Sequence, residues 1–303
     1  MSHFTHSLRC LAVLLACSSA ARAGDSDYSR ARQSFRSHLV REQPSPQKGE
    51  PLETPAGASR VEYDKERHLV AFLGGNSPKG GRQPAVLFLH GGFAYSPEDW
   101  MMAEPYRTAG FITMMPILRG ENGQAGHFTL FYDEVDDVLA AARALSSLPG
   151  VDPKRVFIAG HSVGGTLTLL AAMATDTFRA ATSLSGSPDQ FGFTQGRPFL
   201  VPFDPADQRE FLIRSPQAFA TSFQCPVRIF YGSEEKGFAA SSQDTAQRAA
   251  AKGADVKALA IPGNHFSAVP EEIRQSIAFF QGFMGKAAPA PARKPATPSR
   301  AAP

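Results

Sequence analysis

The sequence predicts an α/β fold in which helices cover both faces of a mostly parallel, eight-stranded sheet. Three observations predict it. Short apolar runs rich in β-branched residues alternate with longer segments of helical periodicity along most of the chain. The run at residues 85–90 (AVLFLH) is apolar without alternation, which is typical of a strand buried on both faces. The 303 residues are 43% hydrophobic and 19% charged, which suits one large globular domain.

The first 23 residues predict an export signal. Arg9 supplies the positive charge, residues 10–17 (CLAVLLAC) supply a short apolar core, and residues 21–23 (ARA) form a small-residue cleavage site. The apolar core is far too short to span a bilayer. The residues that end at Cys17 also resemble a lipobox, so a lipid anchor at this cysteine is an alternative. We therefore expect an exported protein that is periplasmic or secreted.

Residues 24–58 are predicted to form one amphipathic helix, at 27–40, followed by a linker rich in Pro, Gly and polar residues. The main domain is expected to cover residues 59–285 and to open with a β-hairpin. After the hairpin, strands and helices alternate, as in βαβ units with a parallel sheet. The predicted strands are 59–64, 68–74, 85–90, 111–115, 156–159, 178–184, 227–231 and 256–261, and the helices are 97–109, 129–148, 166–173, 242–252 and 270–284.

Residues 187–222 interrupt this alternation after the sixth strand and are rich in Pro and Phe. We expect a small cap insertion that overhangs the carboxyl edge of the sheet, because Phe side chains outside the core need a surface to pack on. A long ordered loop with no catalytic role is the alternative. Residues 286–303 are rich in Ala and Pro, which predicts a disordered tail.

The formal net charge of +3 belongs to the two ends of the chain. Residues 1–23 and 286–303 hold six basic residues and no acidic ones, and the rest of the chain holds 25 basic and 28 acidic residues. We therefore expect no nucleic-acid-binding surface. Two of the three cysteines lie in the predicted signal, so Cys225 has no partner for an internal disulfide after cleavage and is expected to be a small buried hydrophobe.

Residues 155–168 (RVFIAGHSVGGTLT) carry the strongest functional signal. A strand, a tight turn with the pattern G-x-S-x-G and a helix are together typical of a nucleophile elbow. Ser162 is expected at the tip of the turn, and Gly160 and Gly164 remove the Cβ atoms that would collide there. The start of the helix would point free N–H groups at a negative charge beside the serine. A glycine-rich turn without catalytic function is the alternative for the pentapeptide alone.

A serine hydroxyl needs a general base, and the base needs an acid that orients it. His265 follows the last predicted strand, on the same edge of the sheet as Ser162, and is therefore the expected base. A histidine in a surface loop is the alternative. The strand at residues 227–231 precedes Glu234 and Glu235, and the order serine, acid, histidine fits this type of elbow. We expect Glu235 to be the acid, with Glu234 as the alternative.

An oxyanion needs two N–H donors. The amide of Val163, directly after the serine, is the first candidate, and the amide of Gly92 in the loop after the third strand is the second. His90 is expected to hold this loop by hydrogen bonds. No cluster of His, Cys and carboxylate residues has the spacing of metal ligands, so neither a metal nor another cofactor is expected.

Four motifs resemble those of the α/β-hydrolase fold, and within it the catalytic domain of the prolyl oligopeptidase (S9) family and its dienelactone-hydrolase-like relatives. They are HGG (90–92), GHSVGG (160–165), YGSEE (231–235) and GNH (263–265). The resemblance covers about residues 60–285 and implies a serine hydrolase. The roles that it implies are a nucleophile at Ser162, a base at His265, an acid at 234 or 235, and oxyanion donors at Gly92 and Val163.

The chain departs from the family pattern in three ways. The acid is a Glu rather than an Asp, the elbow has His161 and Val163 where the family often has Ser and Tyr, and residues 24–58 are too few for a β-propeller. We therefore expect a small or medium carboxylic ester as the first substrate class. A short peptide or amide, cleaved by an S9-type peptidase, is the second. A non-catalytic binding protein on a hydrolase scaffold is a third interpretation.

Overall fold

The computed structural model describes residues 27–75 and 81–285. The predicted signal, the cysteine of the predicted lipobox and the Ala/Pro-rich tail lie outside these residues. The eight strands form a single sheet in the order β1-β2-β4-β3-β5-β6-β7-β8. Their bounds are β1 Ser59–Asp64, β2 Leu69–Gly74, β3 Gln83–Leu89, β4 Ile112–Pro116, β5 Val151–His161, β6 Ala181–Leu184, β7 Val227–Gly232 and β8 Val256–Ile261.

The sheet is antiparallel at one edge and parallel elsewhere. Strand β2 pairs antiparallel with both β1 and β4, whereas every pair from β4 through β3 to β8 is parallel. The predicted α/β fold with an opening hairpin and eight strands is therefore confirmed. Because β3, β5, β6, β7 and β8 run in one direction, the loops that follow them all leave the same edge of the sheet.

Helices cover both faces of the sheet. The helix bounds are α1 Tyr28–Ser34, α2 Pro97–Met102, α3 Glu104–Thr108, α4 Glu134–Ser146, α5 Val163–Ala174, α6 Gln190–Thr194, α7 Gln208–Ile213, α8 Lys236–Ala250 and α9 Val269–Gln281. Alternate residues of β3 face opposite sides of the sheet. Leu87 and Leu89 join the core under α1, α4, α5 and α8, and Val86 and Phe88 join the core under α2, α3 and α9.

The predicted helix at 97–109 is two short helices, α2 and α3, in the structure, and two further predicted helices begin late or end early. Helix α1 ends at Ser34 rather than at residue 40, because the chain turns extended at Phe35 and its ring packs edge-on against Tyr132. Helix α4 begins at Glu134 rather than at residue 129. Leu130 and Phe131 have φ angles of 52° and 67°, which are incompatible with a helix.

Residues 187–222 contain α6, α7 and two short 3-10 helices. This segment packs on the N-terminal part of the chain: Leu39 forms a β-bridge with Phe203, and Glu210 accepts hydrogen bonds from the Ser37 hydroxyl and the His38 amide at 2.8 and 2.7 Å. Three Phe side chains of the segment, Phe203, Phe211 and Phe219, are buried, and two, Phe191 and Phe199, are more than half exposed. Among the described residues, no helix has both the length and the apolar character that crossing a bilayer requires.

Candidate active site

Ser162 lies in a strained turn between β5 and α5. Its φ and ψ are 54° and −115°, an uncommon conformation for a residue with a side chain, and its amide donates to the Leu184 carbonyl at 2.8 Å. A Cβ atom at Gly160 would collide with the Gly164 carbonyl, and one at Gly164 would collide with the Leu89 carbonyl. Both glycines are therefore needed for the helix to cross the strand closely enough to lift the serine above the sheet.

The structure brings the three predicted side chains into one hydrogen-bonded chain. The Nε2 atom of His265 lies 2.9 Å from Ser162 Oγ, and its Nδ1 atom lies 2.5 Å from Glu235 Oε1. Glu235 follows β7 and His265 follows β8, so neighbouring parallel strands deliver both residues to the edge where β5 ends. Glu234 is exposed and its amide donates to the Gly263 carbonyl, so this alternative acid does not contact the imidazole.

The second carboxylate oxygen of Glu235 is also hydrogen-bonded. It accepts from the Gly232 amide at 2.8 Å and from the Ser185 hydroxyl at 2.7 Å. Burial raises the pKa of Glu235, but the hydrogen bonds from His265, Ser185 and Gly232 outweigh it and hold the pKa below its usual value. The side chain is therefore a carboxylate at neutral pH, which is the form that can stabilise an imidazolium.

A second carboxyl group, which the sequence reasoning missed, lies behind the first. Glu272 is fully buried in the first turn of α9, and its Oε1 atom lies 3.0 Å from the Ser185 hydroxyl. Burial and the nearby charge of Glu235 raise the pKa of Glu272 to about 8, although the Ser185 hydrogen bond acts in the opposite direction. The sequence did hold a signal, because Glu272 interrupts the apolar stripe of α9.

His161 connects the elbow to the loop that carries His265. Its Nε2–H donates to the His265 carbonyl at 3.2 Å, and the two imidazole rings lie 4.9 Å apart. Burial, followed by the neighbouring charge of His265, lowers the pKa of His161, so the ring is neutral at pH 7. A Cβ at Gly91 would lie only 2.8 Å from its Nδ1 atom, so the loop after β3 also packs on this ring.

The loop after β3, residues 90–93, is held by hydrogen bonds from the N-terminal segment, residues 27–58. The Gln47 side chain accepts from the Phe93 amide at 3.0 Å, and the Ser45 hydroxyl donates to the Phe93 carbonyl. Gly92 has a φ of 66°, and a Cβ there would lie 2.8 Å from Gln47 Oε1. Within residues 27–75 and 81–285, the amides of Gly92 and Val163 have no hydrogen-bond acceptor, as free oxyanion donors require.

His90 anchors the same loop from below, as predicted. Its Nδ1–H donates to the Gly91 carbonyl and its Nε2–H donates to Glu121, both at 2.9 Å. Burial lowers the pKa of His90, but the charge and the hydrogen bond of Glu121 outweigh it and raise the pKa to about 9. His90 is therefore a buried imidazolium paired with a carboxylate, which gives it a structural role in shaping the loop.

Aromatic rings surround the site. Phe238 and Phe266 pack edge-on against His265 at centroid distances of 5.9 and 5.1 Å, and Phe266 is 72% exposed. On the other side, Phe93 packs on Phe128 and Phe131, and Phe131 reaches Phe193 of the segment at residues 187–222. In the part of the chain that the structure describes, no three or more His, Cys, Asp or Glu side chains are arranged to hold a metal ion.

Two curated relatives match part of the chain. It is 30% identical to a putative esterase of Bacillus subtilis, YitV, over 116 residues, which are 35% of this chain and 46% of that protein. It is 24% identical to an uncharacterized peptidase of the same organism, YtmA, over 176 residues, which are 52% of this chain and 65% of that protein. The chain therefore spans about half to two thirds of the length of these relatives.

Solved structures of peptidases and esterases share the fold. A puromycin-hydrolyzing peptidase of Mycobacterium tuberculosis matches with a TM-score of 0.63 at 25% identity, over 75% of this chain and 39% of that one. A thermophilic esterase of Thermogutta terrifontis matches with a TM-score of 0.62 at 19% identity, over 77% of this chain and 95% of that one. The sequence profile described as "Prolyl oligopeptidase family" matches residues 100–288, more than half of the sequence. The chain therefore belongs to the prolyl oligopeptidase family of serine hydrolases.

Proposed function

We propose that this protein hydrolyses carboxylic esters through a triad of Ser162 as nucleophile, His265 as general base and Glu235 as orienting acid. The observation that carries the proposal is the continuous hydrogen-bonded chain from Ser162 Oγ through both imidazole nitrogens to Glu235 Oε1. Each contact joins the atoms that proton transfer requires. The strained backbone at Ser162 adds support, since such conformations occur mainly at functional sites.

The first half-reaction is acyl transfer to the serine. Nε2 of His265 takes the hydroxyl proton while Ser162 Oγ attacks the carbonyl carbon of the substrate. The imidazolium is stabilised by the ionised Glu235 through its Nδ1–H. The imidazolium then gives its Nε2 proton to the leaving alkoxide, and the acyl group stays on the serine. In the second half-reaction, water takes the place of the alcohol and the acid is released by the same route.

The developing oxyanion is stabilised by the amides of Gly92 and Val163. Neither amide has an acceptor within the described residues, so both are free to donate to the substrate oxygen. Val163 is also the first residue of α5, so the positive end of a 12-residue helix dipole points toward the same place. Each such donor contributes about 3 kcal/mol of transition-state stabilisation in comparable sites.

The aromatic surroundings support an apolar acyl or alcohol group as the ligand of this site. Three rings, those of Phe93, Phe128 and Phe131, extend from the loop after β3 toward Phe193. Residues 187–222 would therefore supply a wall of the pocket. The similarity to a putative esterase supports an ester. The alternative is an S9-type peptidase or amidase, which the family itself and the similarity to a puromycin-hydrolyzing peptidase support.

The test compares ester and amide bonds directly. Purified protein is assayed with p-nitrophenyl esters of increasing acyl length and with aminoacyl and prolyl p-nitroanilides, next to Ser162→Ala. Ser147→Ala is the matched control, because within the described part of the chain this exposed hydroxyl bonds only to the Arg143 carbonyl of its own helix turn. We expect ester turnover in the wild type and in the control, and none in Ser162→Ala. Preferential turnover of anilides would replace the esterase by a peptidase.

Labelling with a fluorophosphonate tests the nucleophile without a substrate. The probe reacts with an activated serine, so we expect one label on the wild type, on Ser162, and none on Ser162→Ala. A wild-type protein that neither labels nor turns over any ester or anilide would support a non-catalytic binding protein on the same scaffold.

We also propose that the protein is exported, on the pattern of charge, apolar core and small residues at 1–23. Expression of the full chain followed by N-terminal sequencing is expected to find Gly24 as the first residue of the mature protein. A mature protein that begins with a lipid-modified Cys17 would establish the lipid anchor instead. Retention of Met1 and residence in the cytoplasm would contradict export.

A further inference from the structure

We propose that Glu272, held as a neutral carboxylic acid, is a positioning residue that orients the catalytic carboxylate Glu235 through the Ser185 hydroxyl. The proposal rests on the triad of the proposed function and extends its hydrogen-bonded chain by two groups. The complete order is Glu272, Ser185, Glu235, His265, Ser162. The ends of four neighbouring strands and one helix contribute to it. Ser162 follows β5, Ser185 follows β6, Glu235 follows β7 and His265 follows β8, whereas Glu272 lies in α9.

The geometry is that of a serine between two carboxyl groups. Ser185 Oγ lies 2.7 Å from Glu235 Oε2 and 3.0 Å from Glu272 Oε1, both within hydrogen-bond distance. Ser185 itself has a φ of 52° and an amide that donates to the Phe230 carbonyl at 3.0 Å. The backbone is thus held in an uncommon conformation that places this hydroxyl between the two acids.

Counting protons shows which group donates to which. Two oxygen–oxygen contacts need two hydrogens, and the serine supplies only one. Glu235 is a carboxylate whose two oxygens already accept from His265 and Gly232, so it supplies none. The second hydrogen must therefore come from Glu272, whose O–H donates to Ser185 Oγ while the serine O–H donates to Glu235 Oε2. An ionised Glu272 would leave two buried carboxylates competing for one hydroxyl.

The surroundings of Glu272 favour its neutral form. Both Glu272 and Ser185 have no exposed surface, and the Oε2 atom of Glu272 has no hydrogen-bond partner within the described residues. Within the described residues, the ionisable groups that act on it are Glu235 from the loop after β7 and Tyr106 from α3, a phenol that burial keeps neutral. An unsolvated carboxylate at this position would be strongly unfavourable.

The protonation state of Glu272 determines how Ser185 and Glu235 are oriented. With Glu272 donating, the Ser185 proton is directed at Glu235 Oε2, and Glu235 Oε1 remains free for the imidazole. When Glu272 loses its proton, Ser185 is shared between two negative groups and Glu235 loses its fixed orientation. Since burial and Glu235 raise the pKa of Glu272 to about 8, this loss begins just above neutral pH.

The experiment measures kcat and KM of the full chain with the best ester from about pH 5.5 to 9.5. The variants are Glu272→Ala, Glu272→Gln and the matched control Glu271→Gln, a surface residue of the same helix turn that pairs with Arg274. Glu272→Ala is expected to lower kcat about tenfold with little change in KM, because it removes the one hydrogen bond that directs the Ser185 proton toward Glu235. Glu272→Gln keeps a donor and is expected to restore kcat near neutral pH. It is also expected to remove the fall in kcat with a midpoint near pH 8 that the wild type and Glu271→Gln show.

A second readout requires no turnover. The proton between His265 Nδ1 and Glu235 is expected to give a far-downfield proton NMR signal, because the contact is only 2.5 Å long. We expect this signal to show a step near pH 8 in the wild type, to lack that step in Glu272→Gln and to shift in Glu272→Ala. An unchanged signal in Glu272→Ala, or identical pH profiles for the wild type and Glu272→Gln, would overturn the proposal. Failure of the proposed function is recognised separately, by a wild type that neither labels with fluorophosphonate nor hydrolyses an ester.

Discussion

Two buried polar clusters of this protein differ in their balance of charge. In the first, the Arg214 guanidinium is fully buried, pairs with Glu210 at 2.5 Å and also donates to the Thr129 carbonyl and the Ser37 hydroxyl. In the second, Ser185 lies between two carboxyl groups. The first cluster has one positive and one negative group, and its donors are hydrogen-bonded to its acceptors. The second has two carboxyl groups on one hydroxyl, and within the described residues one carboxyl oxygen of Glu272 has no hydrogen-bond partner.

The difference separates a structural cluster from a functional one. The Arg214 cluster ties residues 187–222 to the N-terminal segment, and its charges compensate each other because its task is only to hold the two together. The acidic cluster is less favourable for folding, and it adjoins His265. Proteins retain such unfavourable groups mainly where a shifted pKa or a fixed orientation serves a reaction. Four changes test this distinction.

The largest effect is expected for Glu235→Gln. The amide cannot compensate the charge of the imidazolium, so kcat is expected to fall about 10³- to 10⁴-fold, as for the corresponding change in a serine protease triad. The melting temperature should change little. Glu234→Gln is the matched control, since its side chain is exposed and does not contact His265. A larger loss of kcat in Glu234→Gln than in Glu235→Gln would show that Glu234, and not Glu235, is the acid.

Arg214→Met tests the structural cluster. Removal of the guanidinium leaves the Glu210 carboxylate buried without its partner, which is expected to lower the free energy of unfolding by about 3–5 kcal/mol. Urea denaturation followed by circular dichroism measures the change. Arg209→Met, which breaks an exposed ion pair with Asp207 one turn away, should leave the unfolding midpoint unchanged. Equal stability of the two variants would contradict a structural role for the buried pair.

The pH dependence of stability distinguishes the acidic cluster. Glu272 has an ordinary pKa of 4.5 when unfolded and one of about 8 when folded, so the folded protein keeps a proton that the unfolded chain releases. Between these two values, stability is expected to fall as pH rises, by up to about 1.4 kcal/mol per pH unit, and to level off above pH 8. Thermal melts of wild type and Glu272→Gln at matched pH isolate this contribution. Parallel curves for the two proteins would mean that Glu272 is ionised in the folded state.

The smallest effects come from one change made in both clusters, the removal of a bridging hydroxyl. Ser37→Ala is expected to lower the free energy of unfolding by about 1–2 kcal/mol and to leave kcat unchanged, because among the described residues the Ser37 hydroxyl bonds only to Glu210 and Arg214. Ser185→Ala is expected to lower kcat about tenfold. Denaturation and steady-state kinetics are measured on both variants. If both change only stability, the distinction between the clusters does not hold.

The fold could be predicted from the sequence because each strand has its own apolar run and each run is followed by a helical pattern. Local backbone exceptions could not be predicted. Leu130 and Phe131 fit a helical pattern, yet they adopt left-handed φ angles because Glu134 accepts from the amide and the hydroxyl of Thr129 and closes a turn there. Whether these residues are helical or left-handed depends on side-chain hydrogen bonds, and the periodicity of apolar residues contains no information about them.

The candidate site was predictable to the extent that its members follow strands. Ser162, His265 and Glu235 stand at the ends of β5, β8 and β7, so strand order alone brings them together. Ser185 and Glu272 are 87 residues apart, and only the packing of α9 against the sheet places them in contact. Helical spacing predicts that Glu272 is buried among apolar neighbours, but it does not predict which residue its carboxyl group contacts.

The docking of the N-terminal segment has a consequence for the order of folding. Tyr28 donates its amide to the Ser222 hydroxyl, 194 positions away, and Leu39 pairs with Phe203. Tyr28 and Leu39 can therefore reach their native partners only after the chain has been synthesised as far as residue 222. Because Gln47 in this segment also bonds to Phe93 in the loop after β3, this loop, which contains the proposed oxyanion donor Gly92, is expected to become ordered in the last, slowest steps of folding. Until then a nascent chain would contain the proposed nucleophile, Ser162, without the geometry that its reaction requires.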